Sequence, residues 1–396
     1  MAGNTEKIIK KYIDGVGSAD NKAKSRAKEY DDALIKPPRS MGKLEDIAVK
    51  LAGITGNVKN RIGTKKILVF CADNGVTDEG VASAPITVTS SQAVNMTSGI
   101  TGMSALAKNF GTEVVVVDVG VATEFPATFD GKKANIIDKK IRKGTGNIAC
   151  EPAMSIDECL CAILTGIEIA VGKEDDEEYN VPENSGNISD EVSRGIGYVN
   201  LVGIGEMGIG NTTTSAAVLA AVTGTDSDAL TGRGAGICDD AFANKKKVIK
   251  RALSLHELTD IKDKYDSDFE AVVDILSKVG GLDIAAMCGA FIGAAYAGKG
   301  AVIDGYISAV AALLAVKLCP AVSDYLFPSH ISTEPGYMLA IKELGLKPYL
   351  DLNMGLGEGS GCVLAFGVIE GACAMMNDMA TFAGGGIDDS YLEGIR

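Results

Sequence analysis

Four short β-branched runs recur along this chain, each ending in a small or acidic turn, with Ala-rich helical patterns between them. Lys66–Ala72 (KILVFCA) leads into Asp73-Asn74-Gly75, and Glu113–Val117 (EVVVV) into Asp118-Val119-Gly120. Tyr198–Ile204 leads into Gly205-Glu206-Met207-Gly208-Ile209-Gly210, and Ala301–Ile303 into Asp304-Gly305. The helical patterns cover Ser91–Phe110, Ser155–Val171, Thr214–Val222 and Ile284–Ala297. Strands that are apolar throughout need both faces covered, and strands joined through helices pair in parallel. The expected fold class is therefore α/β, a parallel sheet with helices on both faces. Sites in such sheets lie at the carboxyl ends of the strands, so chemistry is expected in these four turns.

A chain of 396 residues is long enough for one large α/β domain with an appendage. Residues 5–60 read as polar and helical, with a loop at Lys36–Gly42 (KPPRSMG). No uninterrupted apolar run reaches the length of a membrane span. The Lys-rich start, Met1–Tyr12, lacks the apolar stretch of a signal peptide, so a cytoplasmic protein is expected. A net charge of −14 argues against nucleic acid and anionic membranes as partners, and Lys245-Lys246-Lys247 is too short to be a nucleic-acid tract. The nine cysteines are irregularly spaced, mostly among apolar or small residues, and are expected as reduced core thiols. With two histidines and no Cys/His spacing of the zinc type, no metal site is expected. The acidic stretch Lys173–Ser193 breaks the alternation and reads as a surface insertion without a function.

Three motifs carry possible chemistry. Gly203–Gly208 (GIGEMG) matches the dinucleotide fingerprint G-x-G-x-x-G, with Asp226 downstream. Glu206 would face the pyrophosphate, and Asp226 follows an Ala-rich helix rather than a second strand, so dinucleotide binding is rejected. What survives is a helix start at Gly208, Gly210, Asn211 and Thr212 that suits one phosphate. In Leu356-Gly357-Glu358-Gly359-Ser360-Gly361, Glu358 is either a partner for a helix N-terminus or a general base, and spacing alone favours the former. Pro328–Gly336 (PSHISTEPG) lacks a nucleophile elbow and reads as a hydroxyl-rich loop.

These segments gain meaning from their order. KPPRSMGKLE at 36–45, ADNGVTDEGVASAP at 72–85, GEMGIGNTTT at 205–214, Gly232–Gly236, GGLDIAAM at 280–287, Asp304-Gly305-Tyr306, Ser329–Gly336 and GLGEGSG at 355–361 occur in turn. The series closely resembles the nicotinate-nucleotide–dimethylbenzimidazole phosphoribosyltransferase family, from about Lys36 to about Ala380. The resemblance implies a large Rossmann-like domain, expected at 61–335, and a small helical domain from the chain ends, expected at 1–60 and 336–396. It also implies a homodimer. Residue by residue it makes Glu358 the catalytic glutamate, Glu206 a second catalytic carboxylate and Lys245 a phosphate contact. Ser332 and Asp304 join the substrate-binding set, and Gln92, Ala84 and Asn74 fall beside the base pocket. Two positions depart from the family's spelling: Asn74 stands where D-H-G is usual, and Ala84 where some relatives have serine.

The implied reaction moves the phosphoribosyl group of nicotinate mononucleotide to dimethylbenzimidazole or a similar base. The pyridinium leaves without needing a proton, and the donor carries a single phosphate. No cofactor and no metal are therefore expected. A base is needed for the N–H of the attacking azole, and a carboxylate in apolar surroundings fits. The rival reading, a dinucleotide-dependent oxidoreductase on the same sheet, needs an acidic residue after a second strand and a His or Tyr proton relay.

Overall fold

The computed structural model describes residues 2–128, 131, 133–172, 195–261 and 264–392. The acidic stretch at 173–193 lies outside these, between the end of helix Ile156–Val171 and a strand that begins at Ile196.

Six parallel strands form the main sheet: β1 (Lys59–Ala72), β2 (Glu113–Gly120), β3 (Ile136–Asp138), β4 (Ile196–Met207), β5 (Gly300–Ile303) and β6 (Leu326–Pro328). Their order is β3-β2-β1-β4-β5-β6, so the chain winds outward one way from β1 and then the other way from β4. A crevice opens at the carboxyl ends of the two central strands, where the winding reverses. A pair of short parallel strands, β7 (His330–Ser332) and β8 (Leu350–Met354), stands beside it.

Period-2 geometry divides the core into two layers. Along β1, Ile67, Val69 and Cys71 point to one face and Leu68, Phe70 and Ala72 to the other. The first face is covered by helices Lys43–Thr55, Gly102–Asn109 and Ser360–Asp378, the second by Ile156–Val171, Asn211–Thr223, Leu282–Tyr296 and Tyr306–Leu318. Each large aliphatic side chain buried there contributes about 1.5–3 kcal/mol. Helices Ile156–Val171 and Leu282–Tyr296 cross almost backbone to backbone: a Cβ on Gly166 would lie 1.7 Å from the Ala286 carbonyl oxygen, and one on Gly289 would lie 1.9 Å from that of Ile163. This tight crossing fixes where the second of these helices begins, and with it Asp283.

The chain ends meet. Ile35 N–H donates to the Ala380 carbonyl and Phe382 N–H to that of Ala33. The helix Ser360–Asp378 reaches the length and mean apolarity of a membrane span, although Glu370 interrupts its apolar run. Its buried side chains, such as Val363, Phe366 and Ile369, belong to the core on the sheet.

The other departures from expectation are local. Ser91–Phe110 is two helices, Thr87–Thr97 and Gly102–Asn109, parted at Gly99 (φ +74°) and restarted by the Thr101–Ser104 capping box. Cys150, Cys161 and Cys238 are exposed, against the expectation of core thiols, and the other six are buried and free.

Candidate active site

The reversal crevice holds a cavity of about 520 Å³. Its lining includes Ala84, Gln92, Glu206, Gly208, Asn211, Thr212, Asp304, Ser332 and Glu358, nine residues singled out from sequence. Two do not line it. Asn74 is buried behind the turn after β4, its side chain against Gly210. Lys245 is buried one layer back and donates from Nζ to Thr212 Oγ1 at 2.8 Å.

Glu358 occupies an unusual piece of backbone. Gly357, Glu358 and Gly359 all have positive φ, at +82°, +63° and +89°. Such a turn aims successive N–H groups to one side, and here carboxylates receive them. Glu358 N–H faces Glu206 Oε1 at 3.3 Å. Gly359 N–H donates to Asp304 Oδ2 at 2.9 Å and Gly361 N–H to Asp304 Oδ1 at 2.7 Å. Asp304, at the end of β5, is thus the acidic partner of the helix that starts at Ser360. The N–H groups of Gly359 and Gly361 at the start of this helix are thus received by Asp304 rather than by Glu358.

The Glu358 side chain turns instead to helix Thr87–Thr97 and the cavity. Gln92, from helix Thr87–Thr97, donates to its Oε1 at 2.8 Å. Its Oε2 is buried with no protein partner. Burial pushes the proton affinity of this carboxyl up; Gln92 opposes the shift and the charge of Asp304 adds to it. A carboxylate with one anchored oxygen, one unpartnered oxygen and raised basicity, on the wall of a cavity, can take a proton from a ligand.

Behind it lies a second acidic pair. One amide, Asn211 Nδ2, donates to Glu206 Oε2 at 2.5 Å and to Asp283 Oδ2 at 3.0 Å. Burial raises Glu206 to about 8 and Asp283 to about 6.

Behind the Thr212 wall of the cavity lies a buried lysine. Burial lowers Lys245 to about 8, with the charge of Glu334 acting the other way. Near it lies the turn Arg233-Gly234-Ala235, whose Gly234 (φ +55°) approaches the Thr212 hydroxyl. Glu334 accepts from Gly234 N–H at 3.0 Å, and Arg233 pairs outward with Asp239. The sequence reading gave no role to Arg233, Glu334 or Asp283. The signal was present, since all three fall inside segments already quoted for the resemblance. The turn at Gly208–Thr212 spends part of its hydrogen-bonding capacity within the protein. The N–H groups of Ile209, Asn211 and Thr213 go to Thr89 Oγ1, Gly208 O and Gly210 O.

The fingerprint glycines have another use. Gly203 and Gly205 lie inside β4, where a Cβ would meet Cys362 at 2.5 Å and the Glu358 backbone at 2.7 Å. They let the Glu358 loop and its helix approach the sheet. Among the described residues, no three or more His, Cys, Asp or Glu side chains gather as a metal site would.

Comparison with known proteins identifies the family. A family model described as "Phosphoribosyltransferase" matches residues 16–181 and 188–387. The nicotinate-nucleotide–dimethylbenzimidazole phosphoribosyltransferase of Clostridium perfringens is 46% identical over 98% of each chain. That of Escherichia coli is 39% identical over 96% of each. The crystal structure of CobT from Thermus thermophilus superposes with a TM-score of 0.78 at 33% identity, covering 93% of this chain and 100% of that one.

Proposed function

The chain belongs to the nicotinate-nucleotide–dimethylbenzimidazole phosphoribosyltransferase family, and from that premise we propose that Glu358 is the base of its transfer reaction. The enzyme moves the 5-phosphoribosyl group of nicotinate mononucleotide to dimethylbenzimidazole or a similar base, giving α-ribazole 5′-phosphate and nicotinate. The observation that supports Glu358 is its unpartnered, buried Oε2 at the cavity wall, freed from capping by Asp304.

One ring nitrogen of the azole attacks the anomeric carbon as the bond to the pyridinium nitrogen breaks. The bonding pair returns to the pyridine, whose charge is quenched. Glu358 takes the proton from the azole's other nitrogen, so no charge accumulates on the new ring. Attack from the face opposite the leaving group inverts the anomeric carbon to the α configuration. Such a base contributes about 10²–10⁴-fold, and holding the two reactants in line contributes the remainder. Glu206 braces the Glu358 backbone and faces the ribose. Lys245, Thr212 and the amides of the Gly208–Thr212 turn not spent within the protein receive the phosphate. Ala84, Val88, Gln92 and Leu356 enclose the base, with Asn74 acting from behind the wall.

The same proposal includes a cytoplasmic homodimer and a division into a large α/β unit at 61–335 and a small helical unit from both chain ends. The deciding experiment is incubation with nicotinate mononucleotide and a panel of bases, reading products by mass. A nucleotide of the supplied base together with free nicotinate is expected; absence of both from folded protein refutes the assignment.

A further inference from the structure

We infer that Asp304 is a positioning residue for the transfer reaction: its carboxylate clamps the left-handed Glu358 loop and stands beside the Glu358 carboxyl, without touching substrate. Both carboxylate oxygens are engaged by backbone, Oδ2 by Gly359 N–H at 2.9 Å and Oδ1 by Gly361 N–H at 2.7 Å. The side chain is only 2% exposed. Its own backbone is pinned as well. Asp304 N–H donates to Ser308 Oγ at 3.2 Å, and that hydroxyl donates to Ile204 O at 2.8 Å, tying the end of β5 to β4.

The clamp must be strong because the loop it holds is strained. Glu358 sits at φ +63°, a region that costs a side-chain-bearing residue roughly 1–3 kcal/mol unless its surroundings impose it. Two charge-assisted bonds from one carboxylate, aligned with the start of a 19-residue helix, impose it. The titratable groups facing Asp304 are few. From β7 comes His330, with Nδ1 3.9 Å from Oδ1; from the loop and its helix come Glu358 and Cys362. Glu206 on β4 and Tyr337 complete the set. Among them Glu358 is the group placed to exchange a proton with a ligand. Burial raises the proton affinity of Asp304 itself, with His330 and the N–H groups of Gly359 and Gly361 acting the other way; in its charged form Asp304 raises the basicity of Glu358, as desolvation does.

The inference rests on Glu358 being the base, and the test separates the two. Parent enzyme and Asp304→Asn are compared for kcat, KM of each substrate, pH profile and thermal midpoint. An asparagine accepts one of the two N–H bonds, opposes the other and carries no charge. The expected result is a kcat loss of about 100-fold, the usual effect of a small misplacement at the reacting centre. KM for nicotinate mononucleotide should hold, while the limb on which activity rises with pH moves to lower pH. Ser308→Ala, which loosens Asp304 without removing its charge, should lower kcat by about tenfold or less with the limb unmoved. That variant carries the test if Asp304→Asn does not fold. A raised donor KM with kcat preserved overturns the inference in favour of direct substrate contact, and an unmoved acid limb in Asp304→Asn overturns the electrostatic half. A parent that makes no nucleotide product refutes the base assignment instead.

Discussion

The two ends of the cavity are built on opposite plans. At the Glu358 end, burial strengthens the functional group: desolvation raises the carboxyl's affinity for a proton, which is what a base needs. At the Lys245 end, burial weakens it: desolvation lowers the ammonium to about 8, near the point where its charge is lost. The acidic end is complete in the protein alone, its loop held by three backbone N–H contacts to Glu206 and Asp304. The cationic end is not, because Lys245 has a neutral hydroxyl as its hydrogen-bond partner and an anion would restore its charge. On the proposed assignment, one end is preorganised for proton transfer and the other is completed by the donor phosphate.

The hardest blow to this contrast is Glu358→Gln. The variant keeps the size of the side chain and an oxygen for Gln92, and loses only the ability to take a proton. Turnover should fall by about 10²–10⁴-fold, while calorimetric affinity for nicotinate mononucleotide stays near that of the parent. Turnover within a few-fold of the parent would mean that alignment alone drives the reaction and that the basicity of this end is incidental.

At the other end, Lys245→Ala should weaken nicotinate mononucleotide binding by about 10- to 100-fold, the worth of one charge-assisted hydrogen bond, and leave base affinity unchanged. Unaltered donor affinity would remove the lysine from the phosphate site and leave the Arg233–Gly234 turn as the alternative.

The contrast also predicts a pH signature. A lysine lowered to about 8 is charged below that value and neutral above it. Donor affinity should therefore decline as pH rises through about 8. Lys245→Arg, whose guanidinium stays charged, should flatten this decline. The base end contributes the opposite limb, with activity lost as pH falls through the raised value for Glu358. A parent whose donor affinity is flat to alkaline pH would show that Lys245 is already held charged before the donor arrives.

How far these ends were legible in the sequence follows from the range of their contacts. The core segments of β1, β2, β4 and β5 were readable because apolar runs stop abruptly at turns. The first half of β1, Lys59–Lys65, was not, since its sequence is mostly polar. It becomes a strand by pairing with β4 from Lys59↔Ile196 onward. β3 and β6 are three residues long and carry no period at all. Glu358 could be named from the spelling of its loop, but the spelling could not say whether the carboxylate capped its helix. That depended on Asp304, which lies 55 and 57 residues away from the glycines it binds. The glycines of GIGEMG were visible and their meaning was not, because what they approach is Cys362 and the Glu358 backbone.

The smallest expected effect tests the wall between the two ends. Ala84 lines the cavity on the segment that runs from Val81 to Gln92, with Val88 beside it. It is half-buried and presents a methyl group. A methyl tolerates an apolar substituent on the base and offers nothing to a polar one. Ala84→Ser should therefore shift the product ratio in a one-pot competition between an alkyl-substituted and a hydroxyl-bearing base. One neutral hydrogen bond is worth about 1 kcal/mol, which corresponds to about fivefold in that ratio. The reacting end should be untouched, so turnover on dimethylbenzimidazole alone should change little. Identical ratios in parent and variant would place the base away from Ala84, closer to Leu356 and the Glu358 loop, and would shift the base pocket wholly into the acidic end.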